Sequence, residues 1–277
     1  MRAILDPLSV KSALITPQSP WQIVDVHASI DSTNLEALRD PIPWRVVVAD
    51  HQSAGRGRML RRWEAPPGAS VAVSCVVPTS VDRPADLGWL PLLAGMAMRS
   101  ALADVAGLHC GLKWPNDVLA KESPDDPEGH WLKISGILCE MVPGAGLVVI
   151  GAGLNIDQTR SELPVETATS LALCGVRDVR REEVVVRYLG ALAHLHRAWA
   201  GGGAGLDALR AAYRSSCLTI GRDVDVDQPD GLVTRGTAKG VDDSGRLVLA
   251  GPGSRTVHAA GDVTHVRGSQ PGPGGTS

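Results

Sequence analysis

The chain has 277 residues, 44% hydrophobic and 21% charged, enough for one large domain with its own core and a smaller one. A net charge of −3 gives no global attraction to nucleic acid or a membrane surface, so a local cluster of positive charge would serve a small anion. Five scattered cysteines without a C-x-x-C pair argue against a disulfide framework. With no signal peptide and no long apolar run, the chain reads as cytoplasmic.

Residues 1–20 read as a loose N-terminal arm with room for a short helical turn. A strand is expected at 21–26, followed by a helix opening at Asp31-Ser32-Thr33-Asn34-Leu35-Glu36, where Thr33 and Glu36 stand in capping-box spacing. The β-branched runs 45–49 and 71–77 predict buried strands flanking a loop rich in Gly and Arg. Apolar residues at helical spacing over 87–106 predict a core helix stopped by Gly107. A short strand at 112–114 halts at Pro115-Asn116-Asp117, and 121–130 is a polar surface loop. Strands at 134–141 and 147–150, joined by Pro143-Gly144-Ala145-Gly146, suggest an antiparallel hairpin. Helices are expected at 181–200 and 206–214, loosened between by glycines. From 218 to 266 short β-rich runs alternate with turns, the pattern of a small all-β barrel, and the Gly/Pro/Ser-rich residues 268–277 read as a disordered tail.

Several segments could carry chemistry, and each has a plain structural alternative. Gly55-Arg56-Gly57-Arg58-Met59-Leu60-Arg61-Arg62-Trp63 places four Arg and a Trp between two strands. Arg forks onto phosphate or carboxylate oxygens and Trp stacks on a purine, but a solvated basic loop would look the same. In Lys113-Trp114-Pro115-Asn116-Asp117 the amide could read an adenine edge and Asp117 could hold Mg²⁺, or the segment is an ordinary turn. Lys133, entering an apolar strand three residues before Gly136, could neutralise charge at a phosphorus, or guard a strand edge. Gly151-Ala152-Gly153-Leu154-Asn155 lacks the third glycine of a dinucleotide fingerprint and could be a bulge. Ser32-Thr33-Asn34 is either a helix cap or a grip for a small polar group. The eight His show no metal-binding spacing.

Taken in order, Ser32-Thr33-Asn34, Gln52 with Gly-Arg-Gly-Arg and Trp63, Lys-Trp-Pro-Asn-Asp, Lys133-x-x-Gly136-Ile-Leu and Gly151-x-Gly153-x-Asn155 resemble the biotin protein ligases. The resemblance covers most of the chain from about Trp21. It implies an α+β fold: a mixed-sheet catalytic domain with flanking helices over 21–214, then an SH3-like β-barrel over 215–267. It implies an enzyme that activates biotin with ATP to biotinyl-5′-AMP and transfers it to a lysine of a biotin carboxyl carrier protein. Lys133, Arg58 and Asp117 would be catalytic. Ser32, Thr33, Asn34, Gln52, Gly55, Arg56, Gly57, Arg58, Lys133, Gly136, Gly151 and Gly153 would bind biotin. Arg56, Arg58, Arg61, Trp63, Asn116, Asp117, Asn155 and Lys133 would bind ATP, with Asp117 near Mg²⁺.

Two features depart from the family pattern. Leu60 stands where a glycine is usual, which limits positive φ in the Arg loop, and the 121–130 segment widens the gap between Asp117 and Lys133. Lys121 competes for the role of catalytic lysine, but the Gly-Ile-Leu register selects Lys133. Only about 30 residues precede Ser32, too few for a helix-turn-helix domain beside the first strand, so no DNA binding is expected. The alternatives are a lipoate or octanoate ligase on the same scaffold, a non-catalytic ligand-binding regulator, and an RNA-binding module resting on the Arg loop alone.

Overall fold

The computed structural model describes residues 2–79, 84–123, 130–228, 230–251 and 254–266. In chain order these form α1 (Pro7–Leu14), β1 (Ile23–His27), α2 (Thr33–Arg39), β2 (Arg45–Ala49), β3 (Ser70–Pro78), α3 (Leu90–Ala106), β4 (Cys110–Lys113), β5 (Asp117–Ala120), β6 (Leu132–Val142) and β7 (Leu147–Asn155). There follow α4 (Arg181–Gly201), α5 (Gly203–Ser216), β8 (Asp223–Asp227), β9 (Val233–Val241), β10 (Leu247–Gly251), β11 (Ser254–His258) and β12 (Asp262–His265). The tail at 268–277 and most of the 121–130 loop lie outside the described residues.

The N-terminal residues are not a loose arm. The Asp6 side chain accepts from the Leu8 amide, Pro7 presets the first turn, and α1 results. Leu5, Val10 and Leu14 are buried, and α1 packs on α4 and β1. Periodicity alone missed this because α1 is only eight residues long and shows two buried positions.

The first sheet has seven strands in the order β1-β2-β3-β7-β6-β5-β4, with β1 parallel to β2 and every other pairing antiparallel. All five residues of β2 and eight of nine in β3 are buried, which explains why neither strand alternates apolar with exposed polar residues. α3 and α4 cover one face. Their Leu92, Leu93, Met98, Val185, Leu189 and Leu192 join Val46, Val48, Val73, Val148 and Ile150 in the main core. α3 ends as expected at Gly107, with φ +60. On the other face α2 covers only β2, β3 and the start of β7, through Ala37, Val47, Val76 and Val149. The rest of that face carries the cleft described below.

The second sheet has five antiparallel strands in the order β11-β10-β9-β8-β12, where the sequence suggested a small barrel. It docks on the first domain through the turn at 242–245. Trp89 Nε1 donates to Asp243 O (2.8 Å) and Trp114 Nε1 to Gly245 O (3.0 Å). Gly88 and Gly245 meet backbone to backbone: a Cβ on Gly245, whose φ is +79, would lie 2.7 Å from the Gly88 carbonyl. Arg210 and Arg214 close over Trp89, at 5.9 and 6.0 Å from its ring centre, and also bond to Asp243.

Candidate active site

Antiparallel partners in a ladder present their side chains to the same face. One transverse row of the first sheet therefore runs Lys113, Asp117, Gly136, Gly153 across β4, β5, β6 and β7. A second row, two residues along, runs Leu138, Gly151, Ser74 across β6, β7 and β3. The glycines make a low floor, and polar side chains stand around it. Contrary to expectation, Gly151 and Gly153 lie inside β7 rather than after it. They are glycines because other side chains fill the Cβ positions: the Asn34 carboxamide over Gly151, and the Trp63 indole over Gly153.

One end of the cleft is a hydrogen-bond chain at the start of α2. Ser32 caps the helix, and Ser32, Thr33 and Asn34 are all buried. The Thr33 amide donates to Gln52 Oε1 (2.8 Å), and Thr33 Oγ1 lies 3.0 Å from the same oxygen. Ser74 Oγ lies 2.7 Å from Thr33 Oγ1 and 2.6 Å from Asn34 Oδ1. Asn34 Oδ1 can only accept, so the one Ser74 hydrogen belongs there and Thr33 donates onward to Ser74 or to Gln52. Asn34 Nδ2 donates to Glu140 Oε2 (2.8 Å), and Glu140 Oε1 accepts from Arg56 (2.6 Å). Ser74 and Glu140 were not singled out from the sequence. Glu140 carries a readable signal, a carboxylate inside the apolar strand Ile-Leu-Cys-Glu-Met. Ser74 carries none beyond being a polar residue in a buried run.

The Gly-Arg segment folds as a miniature hairpin. Gly57 N donates to Arg61 O and Trp63 N to Gly55 O, around a 3-10 turn at Arg58–Leu60. The positive φ of this turn falls on Met59 (+53), so Leu60 is not asked to adopt it. Gly55 is required because a Cβ there would overlap Trp63 O and sit 2.8 Å from Gln52 Nε2. Arg58 reaches inward, donating to Asn116 Oδ1 (2.9 Å) and Gly261 O (3.3 Å). Burial lowers the Arg58 pKa from its ordinary value, partly offset by Asp117. Arg61 points the other way and pairs with Asp262 of β12, while Arg62 is exposed beside Glu64.

The other end is basic. Lys133 Nζ lies 2.6 Å from Asp117 Oδ1, and 5.9 Å from the centre of the Trp63 ring. Lys121, by contrast, sits over Trp131 at 5.7 Å. The Lys133 backbone is clamped on both sides: its N–H donates to Thr167 O and its carbonyl accepts from Thr169 N, both at 2.8 Å. Asn155 does not line the cleft. Its Nδ2 donates to Thr169 O (2.9 Å) and its Oδ1 accepts from Gln158 (2.9 Å), so both amide atoms are committed to bracing that clamp. Asn116 does line the cleft, and its Nδ2 donates to Ile137 O (2.9 Å). The structure thus gathers Ser32, Thr33, Asn34, Gln52, Arg56, Gly57, Arg58, Trp63, Asn116, Lys133, Gly136, Gly151 and Gly153 around one cavity. Asp117 borders it through Lys133; Gly55, Arg61 and Asn155 support it from outside.

The cleft thus joins a polar pocket to a basic one across a glycine floor, on a mixed sheet followed by a small β sheet. Solved structures share the fold: the biotin protein ligase from Aquifex aeolicus in complex with biotin and ATP superposes with a TM-score of 0.73 at 23% identity, covering 90% of this chain and 100% of that one. The sequence profile of the Biotin/lipoate A/B protein ligase family matches residues 26–157, and that of the Biotin protein ligase C terminal domain matches 219–266. A biotin–acetyl-CoA-carboxylase ligase of Mycobacterium tuberculosis is 38% identical over 276 residues, 96% of this chain and 98% of its own. The bifunctional ligase/repressor BirA of Bacillus subtilis is 30% identical over 85% of this chain and 71% of its own. The chain belongs to the biotin protein ligase family. No helix among the described residues is long and apolar enough to cross a membrane.

Proposed function

We propose that this chain condenses biotin with ATP to biotinyl-5′-AMP and passes the biotinyl group to a lysine of the carrier domain of a biotin-dependent carboxylase. The observation that carries this reading is a single cleft holding a donor–acceptor chain at one end and Lys133 with Arg58 at the other. A ureido ring needs paired donors and acceptors, which Ser32, Thr33, Asn34 and Gln52 supply. An aliphatic tail needs a flat apolar bed, which Gly136 and Gly153 offer once the Trp63 ring resting on them lifts.

In the first half-reaction a biotin carboxylate oxygen bonds to the α-phosphorus, and the bond to the β-phosphate oxygen breaks as pyrophosphate leaves with its electron pair. Two anions must approach, so fixed positive charge is the main requirement. Lys133 serves the carboxylate and α-phosphate, and Arg56 and Arg58 serve the same junction from the hairpin. Asn116 faces the adenine, and Trp63, whose buried Nε1 has no hydrogen-bond partner among the described residues, closes over the adenylate as a donor and a stacking surface. Asp117 would be the single carboxylate ligand of a Mg²⁺ ion, and the ion would supply charge neutralisation at the phosphates. In the second half-reaction the carrier lysine, as a neutral amine, bonds to the acyl carbon and AMP departs. Closure of the hairpin keeps water from the mixed anhydride.

The test is pyrophosphate release with ATP, Mg²⁺ and either biotin or lipoate. Biotin-dependent release is expected; release with lipoate alone would make the chain a lipoate ligase, and release with neither would remove the catalytic reading.

A further inference from the structure

We infer that Lys113 is a binding residue for the leaving pyrophosphate, the β- and γ-phosphates of the nucleoside triphosphate. The inference rests on the adenylation reading above and assigns a part of the site that reading leaves empty.

Geometry comes first. Leu112 packs towards Gly95 of α3, 3.5 Å from the Cβ position there, so alternation along β4 turns Lys113 to the opposite, cleft-bearing face. On that face Lys113 is the direct ladder partner of Asp117, which in turn holds Lys133. Lys113 therefore lies one strand beyond Asp117, on the side away from the glycine floor. If the α-phosphate meets Lys133, the rest of the triphosphate has two directions to run. The glycine floor and the donor–acceptor chain take up one. The other leads past Asp117 to Lys113.

Charge points the same way. Asp117 pairs with Lys133 and Asp262 pairs with Arg61. Arg58 is left with two neutral oxygens. Lys113 is half-buried and has no carboxylate within ion-pair distance among the described residues. The charged groups around it are Asp117, Lys133 and Arg61, with His265 of β12 and Arg222 on the far side. Burial lowers the Lys113 pKa, Asp117 works against that, and Lys133 and Arg61 add to it. Two half-buried cations near Asp117, Arg58 and Lys113, neither in an ion pair among the described residues, leave a positive excess that a polyphosphate can neutralise. A half-buried cation with no carboxylate partner is suited to an anionic ligand. The second sheet completes the wall: Trp114 N donates to Thr219 Oγ1 (3.1 Å), and His265 Nε2 lies 3.3 Å from the same hydroxyl.

The experiment uses the full chain and Lys113→Met, with Lys113→Arg as the charge-keeping control. Titration with inorganic pyrophosphate reads the site without any turnover. Lys113→Met should bind pyrophosphate at least tenfold more weakly, raise the KM for ATP by a similar factor and leave the KM for biotin within about twofold. Lys113→Arg should restore most of the pyrophosphate affinity. Melting of Lys113→Met at an unchanged or higher temperature is also expected, since a half-buried charge without a carboxylate partner is removed. Unchanged pyrophosphate binding in Lys113→Met overturns the inference, as does a parallel rise in both KM values with a lower melting temperature. If the wild-type chain releases no pyrophosphate from biotin and ATP, the adenylation reading fails instead; the pyrophosphate titration still decides the role of Lys113.

Discussion

The Asn34 carboxamide occupies the space that a side chain on Gly151 would need. The same carboxamide is tied at one atom to Ser74 and at the other to Glu140, so it cannot step aside without breaking both bonds. Gly151→Ala should therefore displace the polar end of the cleft. Overpacking of this kind costs about 1–3 kcal/mol. The KM for biotin should rise more than tenfold, and a thermal melt should shift down by several degrees. An unchanged KM for biotin would mean Asn34 is not a biotin contact.

Lys133 pairs with Asp117 inside the cleft, and its backbone is clamped by Thr167 and Thr169, so on the proposed reading it is the cation that meets both anions. Lys133→Met should slow adenylate formation by roughly 10²–10³-fold, the scale of removing one fixed electrostatic contact. Biotin binding, measured by calorimetry without ATP, should change by only a few-fold. Adenylate formation at the normal rate would shift the catalytic role to Arg58.

Trp63 rests on Gly153 and approaches Gly136, with its Cζ3 3.2 Å from the Cβ position of Gly136. A ligand tail lying on the glycine floor must lift the ring. Addition of biotin and ATP should change tryptophan fluorescence in the wild-type chain, and Trp63→Phe should remove most of that change. Trp63→Ala should weaken ATP more than biotin in paired titrations; equal weakening would argue against stacking on adenine.

Gly88 and Gly245 join the two sheets, and a Cβ on Gly88 would overlap Ser244 O. Backbone on both sides cannot yield cheaply, so Gly88→Ala should loosen the docking by about 1–3 kcal/mol. Limited proteolysis between 216 and 222 should then accelerate roughly 5- to 160-fold if cleavage follows the opened population. Activity should fall with it, because Arg58 and Arg61 lose Gly261 O and Asp262 as anchors. Unchanged proteolysis would show that the glycine contact does not hold the sheets together.

His265 sits in that interface with its pKa pushed down to about 4, first by burial and then by Lys113 and Arg222. The unfolded chain takes up this proton near pH 6.5 and the folded chain only near 4. Between those values the unfolded state binds more protons, so stability is full above pH 6.5 and is lost as pH falls through the window. His196 is shifted the same way by burial and adds to the slope. His265→Gln should flatten the decline in melting temperature between pH 6.5 and 4.5. A decline as steep as wild type would place its source in the other histidines.

Most of the large sheet was legible because its strands announce themselves. β2 was read at its true bounds, and α3 stopped at Gly107 for the stated reason. The misses have separate physical causes. β5 begins at Asp117, immediately after the Pro115-Asn116 turn, and a turn signal gives no sign that a strand restarts beside it. Gly151-x-Gly153 looked like a bulge after a strand, because a sequence does not show that Asn34 and Trp63 fill the missing side-chain space. Asn155 carried the right residue type for an adenine contact, but its partners Thr169 and Gln158 lie within 14 residues and could not be paired by spacing alone. The order of the motifs found the cleft; the hydrogen bonds among Ser74, Asn34, Glu140 and Arg56 needed the fold.

The row Lys113, Asp117, Gly136, Gly153 comes from four strands that follow one another along the chain as a meander. Closing such neighbouring hairpins sacrifices little chain freedom. The Asn34 and Ser74 end draws on strands and a helix far upstream, and joins only when β3 zips onto β7. The two halves of the cleft thus have different assembly costs. Slow amide hydrogen exchange should persist longest where they meet, along the seam between β3 and β7.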